Sequence, residues 1–339
     1  MQWDVFCRVI DNHGDLGVCW RLAAELGSRG EAVRLWVDDM SALAWMAPDG
    51  AAGVEVRHWA EPFEAPEPGD VVIEAFACDP PAGFVSRMAG RATPPVWINL
   101  EYLSAEAYVE RSHGLPSPLQ HGSGRGLVKW FFFPGFTPAT GGLLRGPLPA
   151  ADRGLLASAG VQPHAGERLV SMFAYADAPA ADFFARLADQ PTLLLLAAGA
   201  SQPRAIEALR KQPHPNLRHV ALPWLTQPGY DRLLAACDLN VARGEDSIVR
   251  AMWAGAPFVW HIYRQDDGVH ERKLDALLDR MDADAGVRAL WRAFNRLDPW
   301  PDRLPDDAPW RARCRRWRDS LLAQSDLTSR LLAFVASKR

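Results

Sequence analysis

Residues 5–37 read VFCRVI DNHGDLG VCWRLAAELGSRG EAVRLWV and predict a strand, a polar loop, a helix and a second strand. The first strand is expected at Val5–Ile10. The helix is expected at Val18–Ser28, where apolar residues recur at helical spacing before the stop signal of Gly30. The second strand follows at Val33–Val37. This order is typical of a parallel sheet covered by helices on both faces.

The same alternation continues along the chain and predicts an α/β protein with two βαβ domains. Short apolar runs at Val71–Phe76 and Val96–Leu100 extend the first domain. Gly and Pro then crowd Ser112–Pro149, which is typical of a linker or loop, although its aromatic cluster Trp130–Phe136 must pack on something. The second series of strands is expected at Arg168–Tyr175, Thr192–Ala198, His219–Leu222, Leu239–Ala242 and Phe258–Tyr263. We predict domains at residues 1–150 and 151–310, with terminal helices at 311–339 that cross back to the first domain.

Composition excludes several classes of protein. The 37 Lys and Arg residues against 41 Asp and Glu give the chain a net charge of −4, which disfavours non-specific nucleic-acid binding. The longest apolar run, Thr192–Ala198, is far shorter than the roughly 20 residues that span a bilayer. Five cysteines without a CxxC pair suit a reducing compartment and argue against structural zinc. The amino-terminal residues lack a signal-peptide pattern, so we expect a cytoplasmic protein.

The loop Asp11–Gly17 follows the first strand, and ligands bind parallel sheets at the carboxyl ends of their strands. Its acids Asp11 and Asp15, together with Asn12, form a first candidate site. The GxGxxG fingerprint is missing, because only Gly14 and Gly17 are present, and this argues against a nicotinamide cofactor. The structural alternative makes Asp15 the helix N-cap and Asp11 a turn former.

The segment Arg243–Ser247, RGEDS, stands between a predicted strand and a helix. A helix N-terminus binds anions such as a diphosphate, which Ser247 and the backbone could hold while Glu245 accepts hydrogen bonds from ribose hydroxyls. Arg243 could pair with the phosphates or with Glu245. The structural alternative makes Asp246 or Ser247 the helix cap.

The next strand and its loop supply a third group of polar side chains. Tyr263, Arg264 and Gln265 are expected at the strand's carboxyl end, where they could contact phosphate or sugar. The pair Asp266-Asp267 precedes a glycine, which is more typical of a turn than of a metal site. No HExxH or HxH spacing occurs, so we expect no metal.

Aromatic residues in the second domain could hold a nucleobase. Trp224 and Tyr230 offer flat faces, and Gln227 can match an amide edge by hydrogen bonding. Tyr175 ends the first strand of this domain and is expected at the same edge of the sheet. Either Trp224 or Tyr230 alone would more often be a core residue.

Three blocks of this sequence, in this order, resemble the EarP family of bacterial protein-arginine rhamnosyltransferases, which modify elongation factor P. They are DNxGDxGVxWRL at Asp11–Leu22, RGEDS at Arg243–Ser247, and WxIYxQ followed by HxxKL within Trp260–Leu274. The resemblance covers the chain from the first strand to Leu274 at least. One departure is Trp224 after Pro223, where the family has a Pro-Phe block.

The resemblance implies a GT-B glycosyltransferase fold, with two Rossmann-like lobes facing across a cleft. The first lobe would bind the acceptor, an arginine of elongation factor P, and the second lobe would bind the donor, dTDP-β-L-rhamnose. The reaction would invert the anomeric centre without a metal or another cofactor. Two further readings stay open: the acceptor is a small molecule or a glycan, or the chain is a non-catalytic nucleotide-sugar-binding partner of the translation machinery.

Residue roles follow from the matched blocks. Asp15 corresponds to the proposed general base, Asp11 to the acid that orients the acceptor, and Glu245 to a further catalytic acid that also binds the donor. The remaining donor-binding candidates are Asn12, Gly14, Gly17, Tyr175, Trp224, Gln227, Tyr230, Arg243, Asp246, Ser247, Tyr263 and Gln265. A guanidinium has a pKa above about 12, so the acids would first position the cation and then accept its proton as the C–N bond forms.

Overall fold

The computed structural model describes residues 1–10, 13–60, 63–158, 160–266 and 268–339. The chain forms two compact units, one made of Met1–Gly146 with Leu322–Arg339 and the other of Pro147–Leu321. The chain thus returns to the first unit at Leu322, later than the expected position 311.

The first unit is built on a seven-stranded sheet in the order β3-β2-β1-β4-β5-β7-β6. All of its neighbouring strands pair in parallel except β6 and β7, which are antiparallel. The strands are β1 (Gln2–Cys7), β2 (Ala32–Val37), β3 (Val54–His58), β4 (Val71–Ala75), β5 (Val96–Leu100), β6 (Pro116–Pro118) and β7 (Val128–Phe132). The helices between them are α1 (Gly14–Ser28), α2 (Leu43–Met46), α3 (Ala82–Gly90) and α4 (Tyr108–Ser112).

Alternate residues of the central strand β1 enter two different cores. Val5 packs in the cluster that contains Leu22 and Leu26 of α1, whereas Phe6 packs with Phe84 of α3. Because side chains alternate across a strand, these contacts place helices on both faces of the sheet. The predicted α/β class is confirmed.

One prediction for the first unit is wrong, and one of its strands has no counterpart in the predictions. The segment Ser112–Pro149 is not only linker, because it contributes β6 and β7 to the sheet. Within the aromatic cluster, Trp130 and Phe132 belong to β7, and Phe132 is completely buried. The strand β3 was not predicted at all, because none of its five residues is fully buried and the sequence VEVRH lacks a continuous apolar run.

The second unit is built on a five-stranded parallel sheet in the order β10-β9-β8-β11-β12. The strands are β8 (Arg168–Met172), β9 (Thr192–Leu196), β10 (Leu217–Ala221), β11 (Leu239–Arg243) and β12 (Phe258–His261). The helices are α5 (Arg153–Ser158), α6 (Ala180–Leu187), α7 (Ser201–Lys211), α8 (Gln227–Ala236), α9 (Glu245–Ala254), α10 (Val269–Arg280), α11 (Ala285–Phe294) and α12 (Asp307–Leu322).

A final helix, α13 (Leu327–Lys338), completes the first unit. Its residues Leu331 and Val335 are fully buried in the same core as α1. Its Phe334 ring lies 5.9 Å from Trp130 and 5.7 Å from Phe132. The aromatic cluster of β7 therefore packs on this helix.

Both sheets share one topological feature. In each unit the third strand in the sheet order is the first in the chain, and its neighbour on one side comes later, as β4 beside β1 and β11 beside β8. The connections that leave these neighbours diverge and open a crevice at the carboxyl ends of the strands. Candidate site residues are therefore expected after β1, β4, β8 and β11.

Candidate functional site

In the second unit, the candidate site begins where β11 meets α9. Gly244 joins them with φ 65° and ψ −173°, a left-handed φ that suits glycine. The indole N–H of Trp260 donates to the Gly244 carbonyl over 3.2 Å. The N-cap is therefore Gly244, and the structural alternative that made Asp246 or Ser247 the cap is wrong. A helix N-terminus in this position has a positive dipole end that favours an anion.

The first turn of α9 holds Glu245 in an ion pair. Lys273 Nζ of α10 lies 2.9 Å from Glu245 Oε1, and both side chains are mostly buried. The amide of Gln227 approaches the Asp246 carboxylate at 3.4 Å. The sequence predicts Glu245, Asp246 and Gln227 as site residues. It does not single out Lys273, although Lys273 belongs to the HxxKL block.

A cluster of rings and one cation lies at the ends of β8, β11 and β12. Arg243 Cζ lies 4.6 Å from the Phe173 ring centre and 4.8 Å from that of Tyr175. The Tyr175 ring meets Tyr263 edge-on at 5.5 Å, and Tyr263 is 55% exposed. The structure thus brings Tyr175, Arg243 and Tyr263 together, as a shared strand edge predicts.

His261 holds the backbone of Tyr175 in this cluster. Its Nδ1 accepts the Tyr175 backbone N–H over 3.1 Å. Burial lowers the pKa of His261 to about 4, with Arg243 and Arg296 adding to the shift and Asp177 opposing it. The imidazole is therefore neutral at neutral pH, which leaves Nδ1 able to accept. The sequence alone does not mark His261, because its partner Tyr175 lies 86 positions away.

Further aromatic groups surround the same edge. Trp224 is 43% exposed, and a Cβ built on Gly199 would meet the Phe173 ring at 3.4 Å and the Trp224 ring at 3.9 Å. Gly199, with φ 140°, therefore lets the chain pass close to both rings. Tyr230 meets Phe173 edge-on at 5.6 Å.

Two of the predicted polar groups of this unit are mostly buried. The side chain of Ser247 is buried on the first turn of α9. Burial also raises the pKa of Tyr230, and the neighbouring Ser247 opposes that shift. Tyr230 is therefore a neutral hydroxyl.

Gln265 lies in the exposed loop after β12, beyond the strand end at which it was expected. Its backbone N–H donates to His270 Nδ1 over 3.3 Å. It lines a cavity of about 250 Å³ together with Arg264, His270, Asn295 and Arg296. Asn295 Nδ2 donates to the Trp260 carbonyl, so this cavity adjoins β12.

In the first unit, Asp15 lies in the first turn of α1 and is 3% exposed. Its Oδ2 accepts the Ile10 backbone N–H over 3.0 Å, which closes the loop after β1. The N-cap is His13, so the alternative that made Asp15 the N-cap is wrong. Gly14 and Gly17 lie in the same helix, where the Gly17 N–H donates to the His13 carbonyl. Asp11 and Asn12 lie outside the described residues.

The described ranges contain no group of three or more His, Cys, Asp or Glu side chains placed to hold a metal ion. Within the same ranges, no helix has the length and apolar character needed to cross a membrane.

The two-unit fold has counterparts among solved structures. The chain is similar to solved glycosyltransferases, among them VinC in complex with dTDP (14% identity, TM-score 0.55, all of both chains covered). SnogD from Streptomyces nogalater is another, with 16% identity, a TM-score of 0.56 and 99% of each chain covered. Two Rossmann-like units of this kind constitute the GT-B fold, as predicted.

The family follows from closer relatives. The family described as elongation factor P rhamnosyltransferase EarP matches residues 3–336. The protein-arginine rhamnosyltransferases of Pseudomonas putida and Pseudomonas aeruginosa are 43% and 42% identical to the chain, with 98% and 99% of both sequences covered. A solved structure described as the basis for EarP-mediated arginine glycosylation of elongation factor P has 31% identity and a TM-score of 0.65, and covers 100% of this chain and 99% of its own. The chain belongs to the EarP family of protein-arginine rhamnosyltransferases and is an enzyme of the glycosyltransferase class.

Proposed function

We propose that the enzyme transfers rhamnose from dTDP-β-L-rhamnose to a guanidinium nitrogen of an arginine in elongation factor P, with inversion at the anomeric carbon. The observation that carries this proposal is the relationship over the whole chain to proteins named for arginine rhamnosylation. A cytoplasmic location is part of the proposal, because translation factors act in that compartment.

The second unit supplies the donor side of the proposal. The diphosphate would lie at the N-terminus of α9, where the helix dipole and backbone N–H groups favour negative charge. Arg243, Tyr175 and Tyr263, which lie together, would surround it, and the exposed Trp224 ring would stack on thymine. Because charge builds up on the diphosphate as it leaves, these fixed groups would stabilise the transition state without a metal.

Glu245 would accept hydrogen bonds from hydroxyls of the donor. Its ion pair with Lys273 supports this role, because the pair holds Oε1 in place at 2.9 Å. Asp246, Gln227, Tyr230 and Ser247 would complete this part of the site, with Gln265 in the loop after β12.

The first unit supplies the acceptor side. Asp15 would accept the proton that the guanidinium nitrogen loses as the C–N bond forms and the C–O bond to dTDP breaks. Asp11 and Asn12 would orient the cation, and Gly14 and Gly17, in the first turn of α1, would let its backbone approach the donor. The carboxylate of Asp15 accepts the Ile10 N–H and lies in the first turn of α1, near the positive end of the helix dipole.

Incubation of the purified enzyme with dTDP-β-L-rhamnose and elongation factor P tests the proposal. Intact-mass analysis should show one deoxyhexosyl group added to the factor, and peptide mapping should place it on an arginine. A factor with that arginine replaced by lysine is the matched control and should stay unmodified. An unmodified wild-type factor under saturating donor would contradict the proposal.

A further inference from the structure

The turn after β4 is strained. Among the described residues, five that are not glycine have a positive φ, and three of them lie here: Phe76 at 57°, Ala77 at 54° and Asp79 at 47°. A side chain in the left-handed region costs free energy, and such positions concentrate at functional sites. This turn stands at the carboxyl edge of the first sheet, directly beside β1.

Neighbouring strands hold the turn in this form. The Phe76 N–H donates to the Leu100 carbonyl over 2.7 Å, and the Ala77 N–H donates to Asn99 Oδ1 over 3.2 Å. On the other side, Cys78 Sγ donates to the Phe6 carbonyl over 3.3 Å. The turn is therefore fixed to β5 and to β1 at once.

The strain places one aromatic ring on another. The Phe76 ring stacks on Tyr102 with a centre distance of 4.3 Å and an interplanar angle of 14°. Phe76 is buried, whereas Tyr102, two residues beyond β5, keeps 39% of its surface exposed. We call this pair the platform: the Phe76 ring is buried, and the Tyr102 ring that stacks on it is partly exposed.

The residue that precedes Tyr102, Glu101, carries a carboxylate that Asn99 holds in place. The amide of the buried Asn99 donates to Glu101 Oε1 over 2.7 Å, while its oxygen holds the strained turn. Asn99 thus links the backbone that positions Phe76 to the carboxylate that precedes Tyr102. A ring face next to an ionised carboxylate is the environment that a guanidinium prefers, because this planar, weakly hydrated cation stacks on rings and pairs with carboxylates.

We propose that Tyr102, stacked on Phe76, and Glu101 form a specificity-determining subsite of the acceptor arginine, separate from the acids of the loop after β1. The inference rests on the proposed function. Strand order supports the placement, because β1, β4 and β5 are successive neighbours and their carboxyl ends lie within roughly 10 Å of each other. The subsite selects arginine over lysine, since a compact ammonium stacks less well on a ring.

Steady-state kinetics with the factor as the varied substrate test this inference. Tyr102→Leu should lower kcat/KM for the acceptor about tenfold, mainly through KM, which matches the loss of a partly desolvated cation–π contact. Tyr102→Phe keeps the ring and should stay within about twofold of the wild type. The Kd for dTDP should be unchanged in both variants, and matched thermal unfolding curves establish that both fold. Glu101→Gln should also raise KM.

Tyr108 offers a matched control in the same unit. It has the same 39% exposure but packs edge-on against Phe133 from α4. Tyr108→Leu should leave the acceptor KM unchanged. Equal losses in Tyr108→Leu and Tyr102→Leu, or no loss in Tyr102→Leu, would overturn the inference while the proposed function stands. A wild-type enzyme that never modifies the factor would overturn both.

Discussion

Five consecutive strands of the first sheet have the same order as the five strands of the second, but the connections that follow the equivalent strands differ. In the first unit, β4 leads into the strained turn at Phe76, and α3 begins only at Ala82. In the second unit, the single residue Gly244 separates β11 from α9. The first connection holds the Phe76 ring against Tyr102, which follows β5, and the second presents a helix N-terminus.

This difference shows how the same sheet topology can bind an anionic ligand in one unit and a cationic ligand in the other. A helix that starts directly after a strand offers backbone N–H groups and a positive dipole end to an anion. A longer connection removes that dipole from the edge and makes room for Tyr102 and Glu101, which suit a cation. If the proposed function holds, the connection after the fourth strand, rather than the sheet, decides which substrate each unit receives.

The largest expected effect separates the two units by function. Asp15→Asn should lower kcat about 10²- to 10⁴-fold, the range for loss of a general base. The Kd for dTDP should stay within about twofold, because the variant amide can still accept the Ile10 N–H. Rapid-quench kinetics and calorimetry measure these two quantities. Asp49→Asn, at an exposed acid of the same unit, is the control and should behave as the wild type. Loss of dTDP binding in Asp15→Asn would contradict the division between the units.

Acid should weaken the second unit through His261. Its pKa is lowered from 6.5 to about 4, so folding favours the neutral form. The stabilisation is complete above pH 6.5 and is lost as the pH falls towards 4, by about 3 kcal/mol in total. Urea unfolding at pH 7 and pH 4.5 should show this loss. His261→Asn, whose side-chain oxygen can accept the Tyr175 N–H, should show a smaller loss, and an unchanged pH dependence would refute the assignment.

The first unit has a comparable group in His113. Burial lowers its pKa to about 4, and its Nδ1 accepts the Phe133 N–H over 3.1 Å. His113→Asn therefore serves as the parallel variant, and it should reduce the acid sensitivity of the first unit without changing that of the second.

A smaller effect should appear at the donor site. Glu245→Gln should raise the Kd for dTDP-β-L-rhamnose about thirtyfold, which corresponds to roughly 2 kcal/mol for a hydrogen bond to a charged group. Calorimetry with the intact donor measures it. Glu271 is a suitable control, because it also belongs to an ion pair of this unit, with Arg292 at 2.8 Å. If Glu271→Gln weakened binding equally, general electrostatics rather than a direct contact would explain the effect.

The smallest effect concerns the base. Trp224→Ala should weaken dTDP binding about tenfold, since one stacked base contributes about 1–3 kcal/mol. Trp224→Phe should weaken dTDP binding by less than about threefold, because an aromatic ring remains. Fluorescence titration with dTDP distinguishes the two variants. Equal affinity for wild type and Trp224→Ala would place thymine elsewhere.

The fold was largely predictable because buried strands carry local patterns. Val96–Leu100 was predicted with the bounds that β5 has. The first strand was predicted at Val5–Ile10 but lies at Gln2–Cys7, because its early polar residues argued against a strand. Asp4 is nevertheless fully buried, and Arg34 and Trp36 of the neighbouring strand satisfy its carboxylate at 2.7 and 2.8 Å. A local pattern cannot show such a partner.

The sequence marks those residues of the candidate site that are adjacent along the chain, but not their distant partners. Arg243–Ser247 stands out because its residues are adjacent in sequence and close a strand. Lys273 and His261 were missed because they reach Glu245 and Tyr175 across 28 and 86 positions of the chain. The stacked pair Phe76 and Tyr102 was missed for another reason. It depends on a left-handed turn, and residues other than glycine give no sequence signal for that conformation.

The return of the chain at Leu322 also governs how the protein is made. Every residue of the second unit is synthesised before α13, so the first unit lacks that helix until the last residues of the chain are made. Until then, Trp130 lacks the Phe334 ring that later packs on it at 5.9 Å. A chain that ends after Leu322 would contain every residue of the second unit. Its first unit would lack α13 and would expose apolar surface to chaperones and proteases.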